Sequence, residues 1–240
     1  MTDPTNPDTT FSLLSLGSQL GAPAIAVAVI LLAMGLLALA VFVERIASLR
    51  RSRRESRAFA LAVENLLEAG RFAEVIAEAG KYPHGQLPRI VRDGLATYEH
   101  ARATADISGL SPVDRTQRHM ERYMEAVGTD LRRGLSVLSS VGSTAPFIGL
   151  LGTVLGIITA FQGIAATGSG GLSAVSAGIS EALIETALGL VVAIPAVLGF
   201  HYLSTAIHRE EQGLAHASGE LLDRIEGWAE LEAKSRARGL

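Results

Sequence analysis

Glu181 and Glu185 stand in a stretch that is otherwise free of charge: no Asp, Glu, Lys or Arg lies between Arg133 and Glu181. A carboxylate in hydrocarbon costs on the order of 2.5–3.5 kcal/mol on insertion scales. Side chains that only pack would not be acids there. The two glutamates are four residues apart, so they lie roughly on one face of a helix. A carboxyl that takes up and releases a proton inside the membrane is what a proton path needs. The competing reading is a polar contact between helices or with a partner.

The preceding apolar stretch carries Thr144, Thr153, Thr159 and Gln162 as its polar residues beyond serines. Folded back as an antiparallel hairpin about the segment 167–171, it places Thr153 about 21 Å from the turn at 1.5 Å per residue. Glu185 and Thr186 fall at the same depth, and Glu181 about 6 Å nearer the turn. Thr153, Glu181, Glu185 and Thr186 therefore form one polar belt in mid-membrane and are the candidate proton pathway. A threonine hydroxyl donates and accepts, so it can hold a water chain or orient a carboxyl. A lone threonine would instead bond its own i−4 carbonyl; a belt that includes glutamate favours the functional reading. His201, near the end of the second stretch, reads as an interfacial polar contact.

The helices that position these groups are marked by small residues. Gly149, Gly152 and Gly156 stripe the first stretch, and Ala182, Gly189 and Ala193 the second, which lets backbones approach closely in lipid. Pro146 and Pro195 lie inside the two stretches. The fold class is all-α: a polytopic membrane protein with three transmembrane helices, two of them very long and extending into the cytoplasm. The divisions are a tail over 1–21 with an interfacial turn near Phe11–Leu20, a first span over 22–43, a cytoplasmic helical segment over 44–133, a second span over 134–166, a turn over 167–171, a third span over 172–207 and a C-terminal helix over 208–240. The segment after the first span predicts a short helical hairpin around Gly70, then a helix over LPRIVRDGLATYEHARA. Ser111-Pro112 is a helix start, and one unbroken helix is expected from about 112 to about 166.

Charge sets the orientation. The chain has 240 residues and 21 Lys and Arg, all of them within 44–133 and 208–240. By the positive-inside rule those segments are cytoplasmic, and the N-terminus and the 167–171 turn lie outside. The first ten residues carry two acids and no base, so no cleaved signal is read. There is no cysteine, which excludes disulfides, thiolate metal sites and thiol nucleophiles. No GxSxG, HExxH or Walker A pattern occurs. No enzyme activity, metal, cofactor or nucleic-acid partner is expected; the proton is the ion that the glutamate belt would carry.

STAPFIGLLGTVLGIITAFQGIA (143–165), a short polar turn and GISEALIETALGLVVAIPAVLGF (178–200) together resemble the hallmark hairpin of the ExbB/TolQ/MotA family. The likeness rests on Ala145-Pro146, Gly149-Leu150, Gly152-Thr153-Val154, Glu181-Ala182-Leu183, Thr186-Ala187, Gly189-Leu190 and Ala193-Ile194-Pro195-Ala196. MotA-type members have four spans, so the ExbB/TolQ branch fits better. The resemblance implies a homo-oligomeric ring of five copies in the bacterial inner membrane. It implies ExbD- or TolR-like single-span partners in the centre, a partner aspartate that carries the proton, and Glu181, Thr153 and Thr186 around it. Proton flow would energise a TonB-like protein for outer-membrane transport, or a TolA-like protein of the Tol-Pal envelope system. A non-conducting scaffold is the third reading. Glu185 departs from the pattern, standing where better-known members have a small residue. So do Leu155, where many ExbB chains have Trp, and Phe200-His201, which replaces a common Tyr-Asn.

Overall fold

The computed structural model describes residues 22–104, 109, 111–167 and 172–237. The expected N-terminal tail with its interfacial turn, and residues 168–171 of the short turn, lie outside the described residues. Among those described, every regular element is a helix: α1 (Ala22–Glu68), α2 (Phe72–Ala79), α3 (Gln86–Ala103), α4 (Pro112–Arg132), α5 (Leu135–Thr167) and α6 (Leu172–Ala237). The protein is a polytopic all-α membrane protein, with three helical stretches long and apolar enough to cross a bilayer.

Two expectations about helix ends are corrected. The first half of the hairpin expected around Gly70 is no separate helix but the end of α1, which runs from the first span to Glu68. Ala, Leu and Glu dominate AFALAVENLLE, so nothing stops propagation until Gly70, whose φ of 65° turns the chain. The single helix expected from 112 to 166 is two helices. Arg133 leaves the helical region at ψ 133°, and Gly134 takes φ 84°. Only glycine adopts that conformation without steric cost, so the break sits where the sequence supplies it. At the other end of α4 the expected start holds: Ser111 Oγ accepts the Asp114 N–H at 3.0 Å, with Pro112 in the first turn.

The chain divides into two compact units. The first comprises residues up to Val41 and Ser136–Phe200. Its core is built from small and branched side chains. Val27, Leu31, Ala145 and Ala193 are buried together, with Met34, Ile148, Leu155 and Val192 packed on them. Ala38, Val141 and Ala196 form a second cluster. Large apolar side chains such as Leu32, Phe147, Val191 and Leu198 remain more than half exposed. Apolar surface on this scale marks a face covered by lipid or protein.

The second unit comprises Phe42–Leu135 and His201–Leu240. Phe59, Ile90, Leu95, Met120, Leu203, Ile207 and Ile225 are among its fully buried large residues. The first N–H groups of a helix lack intrahelical partners, and Gly85, at the start of α3, has no side chain to cap them. Helix α1 supplies the acceptors. Glu55 takes the His84 and Gly85 N–H groups at 2.7 and 3.0 Å, Ser52 Oγ takes Gln86 N–H at 3.2 Å, and Ser56 Oγ takes Leu87 N–H at 3.3 Å. Burial works to raise the Glu55 pKa, but the His84 N–H bond, Arg51 and the Gly85 N–H outweigh it and hold the carboxyl below its ordinary value. Arg53 ties α1 to α6 through Glu210 at 2.7 Å and the Ala206 carbonyl at 2.8 Å. Arg132 of α4 makes a two-pronged pair with Glu211 of α6, at 3.0 and 2.8 Å.

Candidate functional site

The site is the contact of α5 with α6. Apart from Glu185, the residues along the line where the two helices meet are mostly small, so their backbones approach closely. A Cβ added at Gly149 would lie 2.8 Å from the Glu185 carbonyl oxygen, and one at Gly189 would lie 2.8 Å from that of Ala145. A Cβ at Gly156 would lie 3.4 Å from Ala182 Cβ. These contacts fix an antiparallel register, with Ala145 opposite Gly189, Gly149 opposite Glu185 to Gly189, and Gly156 opposite Ala182. The six residues singled out for packing are thus placed as follows. Gly149, Gly152, Gly156 and Gly189 lie in or beside the contact, and Pro146 and Pro195 lie inside continuous helices.

Glu185 sits in the middle of this contact. It is 1% exposed, and its carboxyl lies directly on Gly152, in the space a side chain there would occupy. Both carboxyl oxygens are buried with no hydrogen-bond partner among the described residues. Buried polar atoms without partners are rare in native proteins, and each calls for a functional account.

The other three belt residues surround this point without joining it. At about 100° per residue, Glu181 lies about 40° round α6 from Glu185 in one direction and Thr186 about 100° in the other. Glu181 is partly exposed and engaged in an interaction of its own. Thr186 is partly exposed, and its Cα lies 3.3 Å from where a Cβ of Gly149 would be. Thr153 follows Gly152 on α5, partly exposed, and its hydroxyl donates to the Leu150 carbonyl at 2.6 Å. Thr144 and Thr159 bond their own helix likewise, to Ser140 and Leu155. The belt therefore shares a depth but not a face: one carboxyl is enclosed, and the other and two hydroxyls flank it.

The resemblance already sets Glu181 apart from Glu185, and the structure separates them by burial as well. The signal was present. Ala182, Glu185 and Gly189 are spaced i, i+3, i+7, so Glu185 lies within the small-residue stripe and Glu181 beside it. His201 lies in the second unit, exposed and with an interaction of its own. Among the described residues no group of three metal-ligating side chains occurs.

Comparison with known proteins bears on this hairpin. The family model described as the MotA/TolQ/ExbB proton channel family matches residues 85–215, which include α5 and both glutamates. The chain is 38% identical over 150 residues to the biopolymer transport protein ExbB of Pseudomonas putida, covering 62% of this chain and 44% of that one. It is 44% identical over 113 residues to the protein of the same name from Xanthomonas campestris pv. campestris, covering 45% of each. It is 35% identical over 122 residues to the Tol-Pal system protein TolQ of Pseudomonas aeruginosa, covering 51% of this chain and 53% of that one. The chain spans about half the length of the curated relatives it matches. The family description names a channel and not an enzyme. With the matched region covering more than half of the chain and holding the α5–α6 hairpin, the chain belongs to the MotA/TolQ/ExbB proton channel family.

Proposed function

We propose that this chain is the ring-forming subunit of a proton-driven inner-membrane motor of the ExbB kind. With a single-span, ExbD-like partner in the centre of a ring of five copies, it would energise TonB-dependent outer-membrane transport. The observation that supports this reading is a belt of two carboxyls and two hydroxyls, within about 6 Å of one depth, in a helix pair with no other charge from 134 to 207. Intramembrane acids face a bundle interior or a wet cavity rather than lipid. Glu181, at the edge of the contact, is the group that takes and releases the proton. Thr153 and Thr186 offer hydroxyls that order water beside it. The Lys and Arg distribution supports an N-terminus outside and a C-terminus in the cytoplasm. Likeness to a TolQ protein supports a second reading, in which the same chemistry drives a TolA-like load.

The test is complementation. Cells lacking their own subunit receive this chain with its single-span partner and are grown on chelated iron. Wild type restores growth, and Glu181→Gln, which keeps shape and hydrogen bonding but loses titration, does not. Growth of Glu181→Gln at the wild-type rate would favour the non-conducting scaffold. Copurification of a TonB-like or a TolA-like protein separates the two branches.

A further inference from the structure

The charges of α1 beyond the first span are not spread at random. Arg50, Arg51, Arg53, Arg54 and Arg57 crowd one segment. Arg51 pairs with Glu55 at 3.4 Å and Arg53 with Glu210 at 2.7 Å. Among the described residues Arg50, Arg54 and Arg57 have no ion pair, and all are exposed. Their spacing of i, i+4, i+7 puts them on one face of the helix. Val43, 57% exposed at the end of the span, is seven residues before Arg50 and on the same face. The next charges down that face are acidic: Glu64 and Glu68, both exposed. Along one line the helix thus carries apolar Val43, then three cations, then the exposed Leu61, then two anions.

We propose that Arg50, Arg54 and Arg57 form a binding stripe for anionic phospholipid headgroups of the adjoining leaflet. Arg50 lies about 10 Å beyond Val43 along the axis and Arg57 about 21 Å. Helical side chains tilt toward the helix N-terminus, and α1 enters this segment from the span, so the arginines lean back toward the headgroups. Basic side chains beside the surface are attracted to the net negative charge of an anionic headgroup, which a zwitterionic one lacks. Glu64 lies about 10 Å beyond Arg57 along the axis and Glu68 further still, so both acids stand a screening length or more further from the headgroups than the arginines do. A face made only for solubility would have no reason to order its signs by distance from the membrane. The proposal rests on α1 crossing the bilayer and not on the motor, so the growth assay above does not bear on it.

The experiment offers the full-length protein in mild detergent an equimolar mixture of phosphatidylglycerol and phosphatidylcholine. Retained lipid is read by native mass spectrometry, and circular dichroism checks the helix. Each arginine near a charged surface contributes about fivefold in affinity. Wild type should retain phosphatidylglycerol over phosphatidylcholine by about tenfold or more, and R50Q/R54Q/R57Q should lose most of that preference. The corresponding triple lysine variant should keep it, and excess inorganic phosphate should not displace the lipid. Arg54→Gln alone, expected to lose about fivefold, serves if the triple variant does not hold its fold. Equal retention of the two lipids by wild type would overturn the proposal. So would an unchanged preference in the glutamine variants, or displacement by phosphate, which would make this a free-anion site.

Discussion

The Glu185 carboxyl rests on Gly152, in the space on α5 that a methyl group there would occupy. An acid with four more heavy atoms than a methyl is fitted into a small-residue stripe because the facing residue has no side chain at all. The two positions are therefore sterically dependent on each other, and this dependence can be measured.

Gly152→Ala should destabilise the α5–α6 pair by about 1–3 kcal/mol, the usual cost of overpacking a tight contact. Thermal unfolding of the detergent-solubilised protein reads it as a lowered Tm. Glu185→Ala in the same chain vacates the space and should restore most of the loss. Such a coupling energy is the mark of residues in contact. A double variant no more stable than Gly152→Ala alone would show that the two do not meet.

Glu185→Ala by itself should weaken partner-driven growth on chelated iron, or change its dependence on external pH, without abolishing it. Glu181→Gln should abolish it. The ground is position: Glu181 stands at the edge of the contact and Glu185 is enclosed within it. With expression checked by blot, failure of Glu185→Ala alongside normal growth of Glu181→Gln would reverse the two roles.

How far the sequence foretold this site depends on the element. The three spans and the depth of the belt follow from the absence of charge over long stretches and a fixed rise per residue, because both are properties of a single helix. The enclosure of Glu185 is a property of two helices. It was legible only by laying Ala182, Glu185 and Gly189 on the same stripe as the glycines opposite. The unbroken run of α1 to Glu68 and the break at Gly134 went the other way. The sequence marks Gly70 as a hairpin centre but gives Gly134, after two arginines, no mark that separates it from a helix interior. Glycine tolerates helix and left-handed turn alike, so its type does not say which it will adopt.

Glu55 gives the second unit a dependence on acid. Its folded-state pKa is lowered by the amide bonds it accepts. The stabilisation is therefore complete above the ordinary carboxylate value of 4.5 and is lost as pH falls through the lowered folded value. Hydrogen exchange at the His84 and Gly85 amides should be slow at neutral pH and quicken below that window, after correction for the intrinsic rate. Glu55→Gln should cost about 1–3 kcal/mol at neutral pH, as a hydrogen bond to a charged group does, and remove the acid dependence. Unchanged protection in the glutamine variant would place the stabilisation elsewhere.

The absence of cysteine makes topology simple to read. Ser176→Cys and Ser235→Cys both replace exposed residues. In intact cells an impermeant thiol reagent added outside should label the first, and should label the second only after permeabilisation. Ser52 is unsuited to this test because it is buried and caps α3. Labelling of Ser235→Cys in intact cells would invert the orientation.

The break at Arg133–Gly134 has a consequence for where α5 can float. A continuous helix could slide along the membrane normal without exposing any backbone group. A helix that begins at Leu135 has a first turn of N–H groups that need water or headgroup oxygens. On the α4 side of the break, Arg45 already donates to the Asp130 carbonyl at 3.4 Å. The donors of α5 therefore act as a waterline that cannot sink into hydrocarbon. Gly152 stands 17 residues further on, about 26 Å above that line, so a single glycine among arginines limits how deep the enclosed carboxyl can ride.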